Sequence, residues 1–249
     1  MLLYESGPLV REVRSSDGSD DDPYRAAAVE RLRSFLEPHA PWLVERAAVL
    51  EERPGPGLVH AASAAELLVV GTRGLSGRLD LSIGSIGSYC ARHATAPVAL
   101  IPGDAPPPHD HLDVVVGFDG SSHSRAALHW TLTHVLPTAR VLVVQAYADH
   151  TVVGEALSPS PDDTESTVRA ELDDGVAAVL AHLDRHAAVA TTAVPGDPRA
   201  VLRAAADDAD LLVVGARGHG ILDRLLLGSA SSALTHHPTA PTIVVPHRR

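Results

Sequence analysis

The 249-residue sequence contains no lysine and no asparagine, and all twenty of its basic residues are arginine. A P-loop NTPase needs the lysine of its phosphate loop, and a protein kinase needs a lysine on a strand beside ATP. A Schiff-base enzyme needs an amine nucleophile. The absence of lysine therefore excludes these three classes, and the absence of asparagine excludes N-glycosylation.

Cysteine, aromatic residues and long apolar runs are also scarce. Cys90 is the single cysteine, which excludes an internal disulfide and a cysteine-based zinc site, and its predicted helix indicates a buried structural thiol. Aromatic residues make up 3% of the chain, too few for a surface that stacks nucleic-acid bases. No run approaches the roughly 18 apolar residues of a membrane span, and the N-terminus lacks the pattern of a signal peptide. We therefore expect a cytoplasmic protein with no membrane partner.

The formal net charge of −11 disfavours nucleic acids and anionic membranes as bulk partners, although backbone amides can still form a local anion site. The 15 histidines invite a metal interpretation. However, neither His109-Asp110-His111 nor His236-His237 has ligand spacing on one face with a third partner. We expect these histidines to be solvated or to lie at helix C-termini, and we expect no metal site built from the chain alone.

The most informative stretch is a glycine pattern that occurs twice. Gly215-Ala216-Arg217-Gly218 is followed by nine residues and Gly228-Ser229, after an apolar strand and before a predicted helix. This layout presents backbone N–H groups to a phosphate. The same pattern, Gly71-Thr72-Arg73-Gly74 and then Gly84-Ser85, occurs 144 residues earlier. The repeat predicts a domain at 1–103, a linker at 104–111 and a second domain at 112–249.

Short apolar runs alternate with helical patterns along the second domain, which predicts an α/β fold with a parallel sheet covered on both faces. The predicted strands are 112–118, 140–147, 189–194, 211–214 and 242–245, and the predicted helices are 123–136, 163–185, 198–206 and 230–237. In the first domain, residues 1–4 predict the end of a strand. The remaining predictions there are strands at 42–50, 67–70 and 97–101 and helices at 24–38, 58–65 and 85–93.

Asp119 follows the first strand of the second domain, where parallel sheets bind ligands beyond their carboxyl ends. Its carboxylate could accept hydrogen bonds from ribose hydroxyls or hold a metal beside phosphates, or it could cap the helix that begins in Asp119-Gly120-Ser121-Ser122. Arg73 and Arg217 occupy matched loop positions, either near phosphates or exposed. The chain has neither the G-x-G-x-x-G dinucleotide fingerprint at this loop nor a G-x-S-x-G nucleophile elbow.

The glycine loop, the strand-end Asp119-Gly120-Ser121 and the closing Ala240–Pro246 segment together resemble the universal stress protein family in its tandem, two-domain form. The resemblance is good over 55–102 and 112–246 and loose over 1–54. It implies Rossmann-like domains of the adenine nucleotide alpha hydrolase type, with a five-stranded sheet in the order 3-2-1-4-5. It also implies ATP binding, alone or with Mg²⁺. Carried over by position, the site residues are Gly117, Phe118, Asp119, Ala146, Val214, Gly215, Gly218, Gly228, Ser229, Ala230 and Ser231.

The first domain departs from this pattern because it lacks counterparts of 114–144, including the central strand and Asp119. The repeat offset places Met1 opposite Gln145, inside a second strand. Either the true start codon lies upstream, or this half is a decayed and partly ordered remnant. If the sequence is complete, we predict that Gly71, Gly74, Gly84 and Ser85 do not form a competent ATP site.

The resulting expectation is an ATP-binding regulator in the stress response, without efficient catalysis, that forms a homodimer or pairs its two halves intramolecularly. Slow ATP hydrolysis or autophosphorylation on Ser229 or Ser231 is an alternative. An adenylating ligase would need a further substrate domain. A third alternative is an interaction module that binds no nucleotide and dimerises through its closing strand.

Overall fold

The computed structural model describes residues 2–4, 23–50, 52–72, 85–103, 111–148, 161–184, 187–217 and 240–246. The strands are β1 (Leu2–Tyr4), β2 (Leu67–Gly71), β3 (Val98–Ile101), β4 (Asp113–Gly117), β5 (Arg140–Tyr147), β6 (Ala188–Pro195), β7 (Leu211–Gly215) and β8 (Thr242–Val245). The α-helices are α1 (Pro23–His39), α2 (Pro54–Ala61), α3 (Ser85–His93), α4 (Ser122–His134), α5 (Pro161–Leu180) and α6 (Pro198–Ala206). None of these helices is long and apolar enough to cross a membrane.

The strands form one sheet in the order β1-β2-β3-β8-β7-β4-β5-β6. Strands β4 to β8 are the five strands of the second half, and all of their mutual pairings are parallel. Numbered within that half, their order is 3-2-1-4-5 read from β6 to β8. The structure therefore confirms the predicted fold class. The strand predictions at 140–147 and 242–245 and the helix predictions at 85–93 and 198–206 also match the observed bounds.

The two halves meet where β3 pairs with β8 in antiparallel fashion, with Ala99 opposite Ile243. This is intramolecular pairing, one of the two arrangements expected from the sequence. A hydrophobic cluster on one face of the sheet contains residues of both halves, among them Leu100 and Val244. The sheet and this cluster therefore join the halves, whereas the domain limits proposed above stay a prediction.

Helices cover the two faces of the sheet with small aliphatic side chains. Leu128 of α4 and Leu172 of α5 are fully buried in the cluster on one face. Leu58 of α2, Cys90 of α3 and Leu202 of α6 pack into the cluster on the other face. Burial raises the pKa of the Cys90 thiol above its ordinary value, which keeps the thiol protonated and unreactive. The prediction of a buried structural cysteine is confirmed.

In the first half, β1 occupies the position beside β2 that β4 occupies beside β7 in the second half, which the sequence did not indicate. Strand β1 lies next to β2 and runs antiparallel to it, with Leu3 opposite Leu68. It therefore does not take the place of a parallel second strand, which the repeat offset predicted. Because β1 lies directly beside β2, backbone groups on that edge of β2 gain a hydrogen-bonded neighbour.

Two further predictions in the first half were wrong. The strand predicted at 42–50 is instead a 3-10 helix, Pro41–Arg46, followed by irregular chain. Proline at its first position favours a helical turn, and Trp42 is 72% exposed, so this apolar run contributes no buried strand. Helix α2 begins at Pro54, four residues before the predicted start, because proline is also tolerated at the first helical position.

Candidate nucleotide site

The candidate site lies at the carboxyl ends of β4 and β7. These strands are parallel neighbours, with Val116 opposite Val213, so the residues that follow them emerge at the same edge of the sheet. The chain leaves β4 towards β5 and β6 but returns through β7 to β8, so the strand order reverses between β4 and β7. Ligands of open α/β sheets bind in the crevice at such a reversal.

Two predicted site glycines permit close packing at this crevice. A Cβ on Gly215 would lie 2.6 Å from the backbone carbonyl carbon of His123, so the first turn of α4 packs directly on the end of β7. A Cβ on Gly117 would lie 3.0 Å from Cδ1 of Leu202 and 3.2 Å from Cγ1 of Val214. The backbone of the crevice is therefore held by α4 on one face and α6 on the other.

Asp119 is half-buried beside this crevice and organises the turn into α4. Its Oδ1 accepts a hydrogen bond from the N–H of Ser121 at 3.0 Å, across Gly120, whose φ of 74° suits glycine. The N-cap of α4 is Ser121, whose hydroxyl oxygen accepts the N–H of Ser124 at 3.2 Å. The capping function considered for Asp119 thus belongs to Ser121, and Asp119 supports the turn just before it.

The cap gives a stability prediction that is independent of any ligand. Ser121→Ala should lower the free energy of unfolding by about 1 kcal/mol, because the N–H of Ser124 loses its side-chain acceptor. Ser121→Asp, which keeps a capping oxygen, should stay close to the wild type. Urea denaturation followed by circular dichroism measures both. Equal stability of the alanine variant and the wild type would contradict the assigned cap.

Phe118 and Ala146 differ in how far their side chains are buried near the crevice. The side chain of Phe118 is buried in the core, where its ring packs against α5 at Gly175. Arg125 lies over the same ring, with its Cζ 5.9 Å from the ring centroid. A ligand contact at Phe118 would therefore come from its backbone, whose N–H already donates to the carbonyl oxygen of Val144 at 2.9 Å. Ala146 is half-buried near the end of β5, opposite Val194 of β6.

A cleft of about 450 Å³ opens beside Asp119, between the ends of β4 and β5 and helix α5. Its lining residues are Asp119, Gly120, Arg125, Gln145, Glu171, Asp174, Gly175 and Ala178. Three carboxylates and one guanidinium give the cleft a negative formal charge. The Nε of Arg125 donates to the carbonyl oxygen of Gly120 at 3.1 Å, so part of this guanidinium is committed to the turn.

Sequence reasoning did not identify the contributions of Gln145, Glu171 and Asp174 to this cleft. Gln145 precedes the predicted site residue Ala146, and strand alternation alone would have placed it on the same face as Val143. Glu171 and Asp174 come from α5, and no motif in the sequence associates this helix with Asp119. The proximity of Glu171 and Asp174 to Asp119 depends on how α5 packs against the sheet.

Several predicted residues lie outside the described part of the chain. These are Gly218, Gly228, Ser229, Ala230 and Ser231 of the second half, and Arg73, Gly74 and Gly84 of the first. Val214 and Gly215 are buried at the end of β7, and Arg217 is half-buried just beyond it. The described residues thus bring together the strand-end half of the predicted site.

Three histidines of the described residues lie at helix C-termini, as expected from the sequence. His39, His93 and His134 are the last residues of their helices, and each donates from Nδ1 to the carbonyl oxygen four residues earlier, at 2.8 to 2.9 Å. Each ring also stacks on the aromatic residue at that position. No group of three His, Cys, Asp or Glu residues in this part of the chain could hold a metal ion. His111 is exposed, whereas His109, His236 and His237 lie outside the described residues.

Comparison with known proteins agrees with this architecture. The universal stress protein family profile matches residues 8–102 and 112–246, so the match in the first half reaches well before residue 55. Universal stress proteins of Mycolicibacterium smegmatis and Mycobacterium tuberculosis are 31% and 32% identical over 193 and 197 residues, which cover 76% and 77% of this chain. The chain spans just under two thirds of the length of these relatives, 64% and 65%.

The fold is also found in solved structures. A universal stress protein from Archaeoglobus fulgidus is 18% identical, and it matches 94% of this chain and 84% of its own with a TM-score of 0.61. At this identity the likeness concerns the fold. The two profile matches, which span most of the sequence, show that the chain belongs to the universal stress protein family.

Proposed function

We propose that the second half of this protein binds ATP and that the protein is a cytoplasmic, nucleotide-dependent regulator in the stress response, without efficient catalysis. One observation carries the proposal. Asp119 and Gly215 lie at the ends of adjacent parallel strands, where the strand order reverses, and a cleft opens beside Asp119. A ligand there can meet a carboxylate and a glycine-rich loop together.

In this proposal, the ribose and the phosphates of the nucleotide bind to different groups of the protein. The carboxylate of Asp119 accepts hydrogen bonds from the ribose hydroxyls. The phosphates lie on the loop that begins at Gly215 and continues to Gly228-Ser229. The N–H of Ala216 donates to the carbonyl oxygen of Val245 at 2.9 Å, so it is committed to the sheet. The amides that serve phosphate must therefore come from residues after Ala216.

Mg²⁺, if it accompanies the nucleotide, is mostly held by the phosphates. Mg²⁺ in nucleotide sites keeps several waters and takes one or two carboxylates from the protein. In this proposal Asp119 is assigned to the ribose hydroxyls and is therefore not assigned to the ion. The described residues contain no cluster of metal ligands that would hold the ion without a nucleotide.

We expect one nucleotide per chain. In the second half, β4 lies between β7 and β5 and ends next to Asp119. In the first half, the neighbour of β2 on the corresponding side is β1, which runs in the opposite direction. Its carboxyl end is therefore at the other edge of the sheet. Among the residues that the structure describes in the first half, no carboxylate follows a strand beside β2 in the way that Asp119 follows β4 beside β7.

The alternative of an interaction module that dimerises through its closing strand is disfavoured by the sheet itself. Strand β8 is paired with β7 on one side and with β3 on the other. Both of its edges are used within the chain. A second copy could pair with β8 only by displacing β3.

The proposal is tested by nucleotide content and equilibrium binding. Mass spectrometry of the gently purified protein should find adenine nucleotide, and calorimetry of the stripped protein should give about one ATP site per chain. Absence of binding would overturn the proposal. Two sites per chain would contradict the view of the first half, and steady release of ADP at many turnovers would contradict the non-catalytic function.

A further inference from the structure

Among the residues that line the cleft beside Asp119, Gln145 is the one with a neutral polar side chain, and its backbone belongs to the sheet. The backbone of Gln145 lies in β5, paired with Ala193 of β6. Strand alternation places Gln145 on the face that carries Val141 and Val143, both buried against α4 and α5. Its side chain lines the cleft opposite Glu171 and Asp174 of α5.

The charges of the cleft decide which part of a nucleotide can enter it. Asp119, Glu171 and Asp174 outnumber the single cation Arg125, so a phosphate would be repelled. A neutral purine base would not be repelled by these carboxylates. The cleft, of about 450 Å³, is large enough to admit such a base.

The amide of Gln145 presents one acceptor and two donors, and this set distinguishes purines at one edge. Adenine offers a donor, the N6 amino group, beside an acceptor, N7, and a glutamine can pair with both. Guanine offers two acceptors there, O6 and N7. A glutamine amide matches the first arrangement with two hydrogen bonds and the second with only one.

We propose that Gln145 recognises the N6/N7 edge of adenine and thereby sets a preference for adenine over guanine nucleotides. This inference rests on the proposed nucleotide binding and deepens it, because it assigns base selectivity to a residue on the sheet rather than to the glycine loop. The backbone pairing of β5 fixes the point from which this side chain extends, and the acidic side chains of α5 keep the phosphates out of the base subsite.

Binding of ATP, GTP and 7-deaza-ATP to the full chain, measured by calorimetry, tests the inference. The wild type should prefer ATP to GTP by about 10- to 100-fold, the range expected of a bidentate amide–base pair. It should also bind 7-deaza-ATP about tenfold more weakly than ATP, because that analogue lacks N7. Gln145→Leu should bind ATP, 7-deaza-ATP and GTP with nearly equal affinity.

The control is Thr192→Val, which changes a half-buried polar residue of the neighbouring strand that does not line the cleft. It should keep the full preference for ATP. A preference retained in Gln145→Leu, or 7-deaza-ATP binding the wild type as tightly as ATP, would overturn the inference while leaving ATP binding intact. Failure of the proposed function looks different, because the wild type would then bind neither ATP nor GTP.

Discussion

Phe118→Ala is expected to lower the free energy of unfolding by about 3 to 5 kcal/mol. The ring is only 4% exposed and lies in the cluster that α4 and α5 form on the sheet. Helix α5 approaches it closely at Gly175, where a Cβ would lie 2.9 Å from Cε1 of Phe118. Removing the ring leaves a cavity beside a residue with no side chain to fill it.

Urea denaturation of the alanine variant measures this cost, and Phe118→Leu is the matched control. Leucine keeps most of the buried volume, so it should cost less than about 2 kcal/mol. The leucine variant should also keep its affinity for ATP, because any ligand contact at this position comes from the backbone. An alanine variant as stable as the wild type would show that the ring does not belong to the core.

Phe118 also illustrates what the sequence could and could not predict at the site. The family resemblance implies that position 118 lies next to the ligand, and residue 118 does follow β4 directly. Which way a side chain points depends on the pleat and on the helix that covers it. Here the ring turns towards Gly175 of α5, which is more than fifty residues away in the sequence.

The second half could be predicted because its signals are local and repeated. Short apolar runs alternate with helical patterns, and parallel strands joined by helices have few allowed arrangements. The first half offered weaker signals. A three-residue strand such as β1 has no periodicity to read, and its partner is decided by which edge of β2 is available. Trp42–Leu50 has strand-like composition but follows a proline, and no strand in the described part of the chain pairs with it. The strand prediction made from composition was therefore wrong.

The positions of Asp119 and Ser121 just before α4 were predictable from the sequence, but the part that each residue plays in the turn was not. The order of residues places Asp119 and Ser121 before α4, and both residue types are suitable caps. Only the geometry assigns the cap to Ser121 and the preceding turn to Asp119. Gln145 is the opposite case. The sequence predicts only that it belongs to an apolar strand, whereas the structure places it in the lining of the cleft.

Asp119→Ala is expected to weaken ATP binding by about 100-fold. A hydrogen bond to a charged group contributes roughly 1.5 to 3 kcal/mol, and the variant removes such an acceptor from the ribose hydroxyls. Asp119 also accepts the N–H of Ser121, so part of the loss could come from a disturbed turn. Asp119→Asn separates the two effects, because the amide oxygen can still accept that N–H.

The asparagine variant should therefore keep the stability of the wild type and lose about tenfold in ATP affinity, since a neutral acceptor is weaker than a charged one.

A comparison of ATP with 2′-deoxy-ATP tests the ribose contact more directly. The wild type should prefer ATP to the deoxy analogue, whereas Asp119→Ala should bind both alike, because the acceptor that senses the hydroxyl is gone. Ser121→Ala, which loses the cap but keeps the carboxylate, should retain the preference for ATP. If Asp119→Ala binds ATP as tightly as the wild type, the carboxylate serves only the turn, and the ribose must be held elsewhere in the crevice.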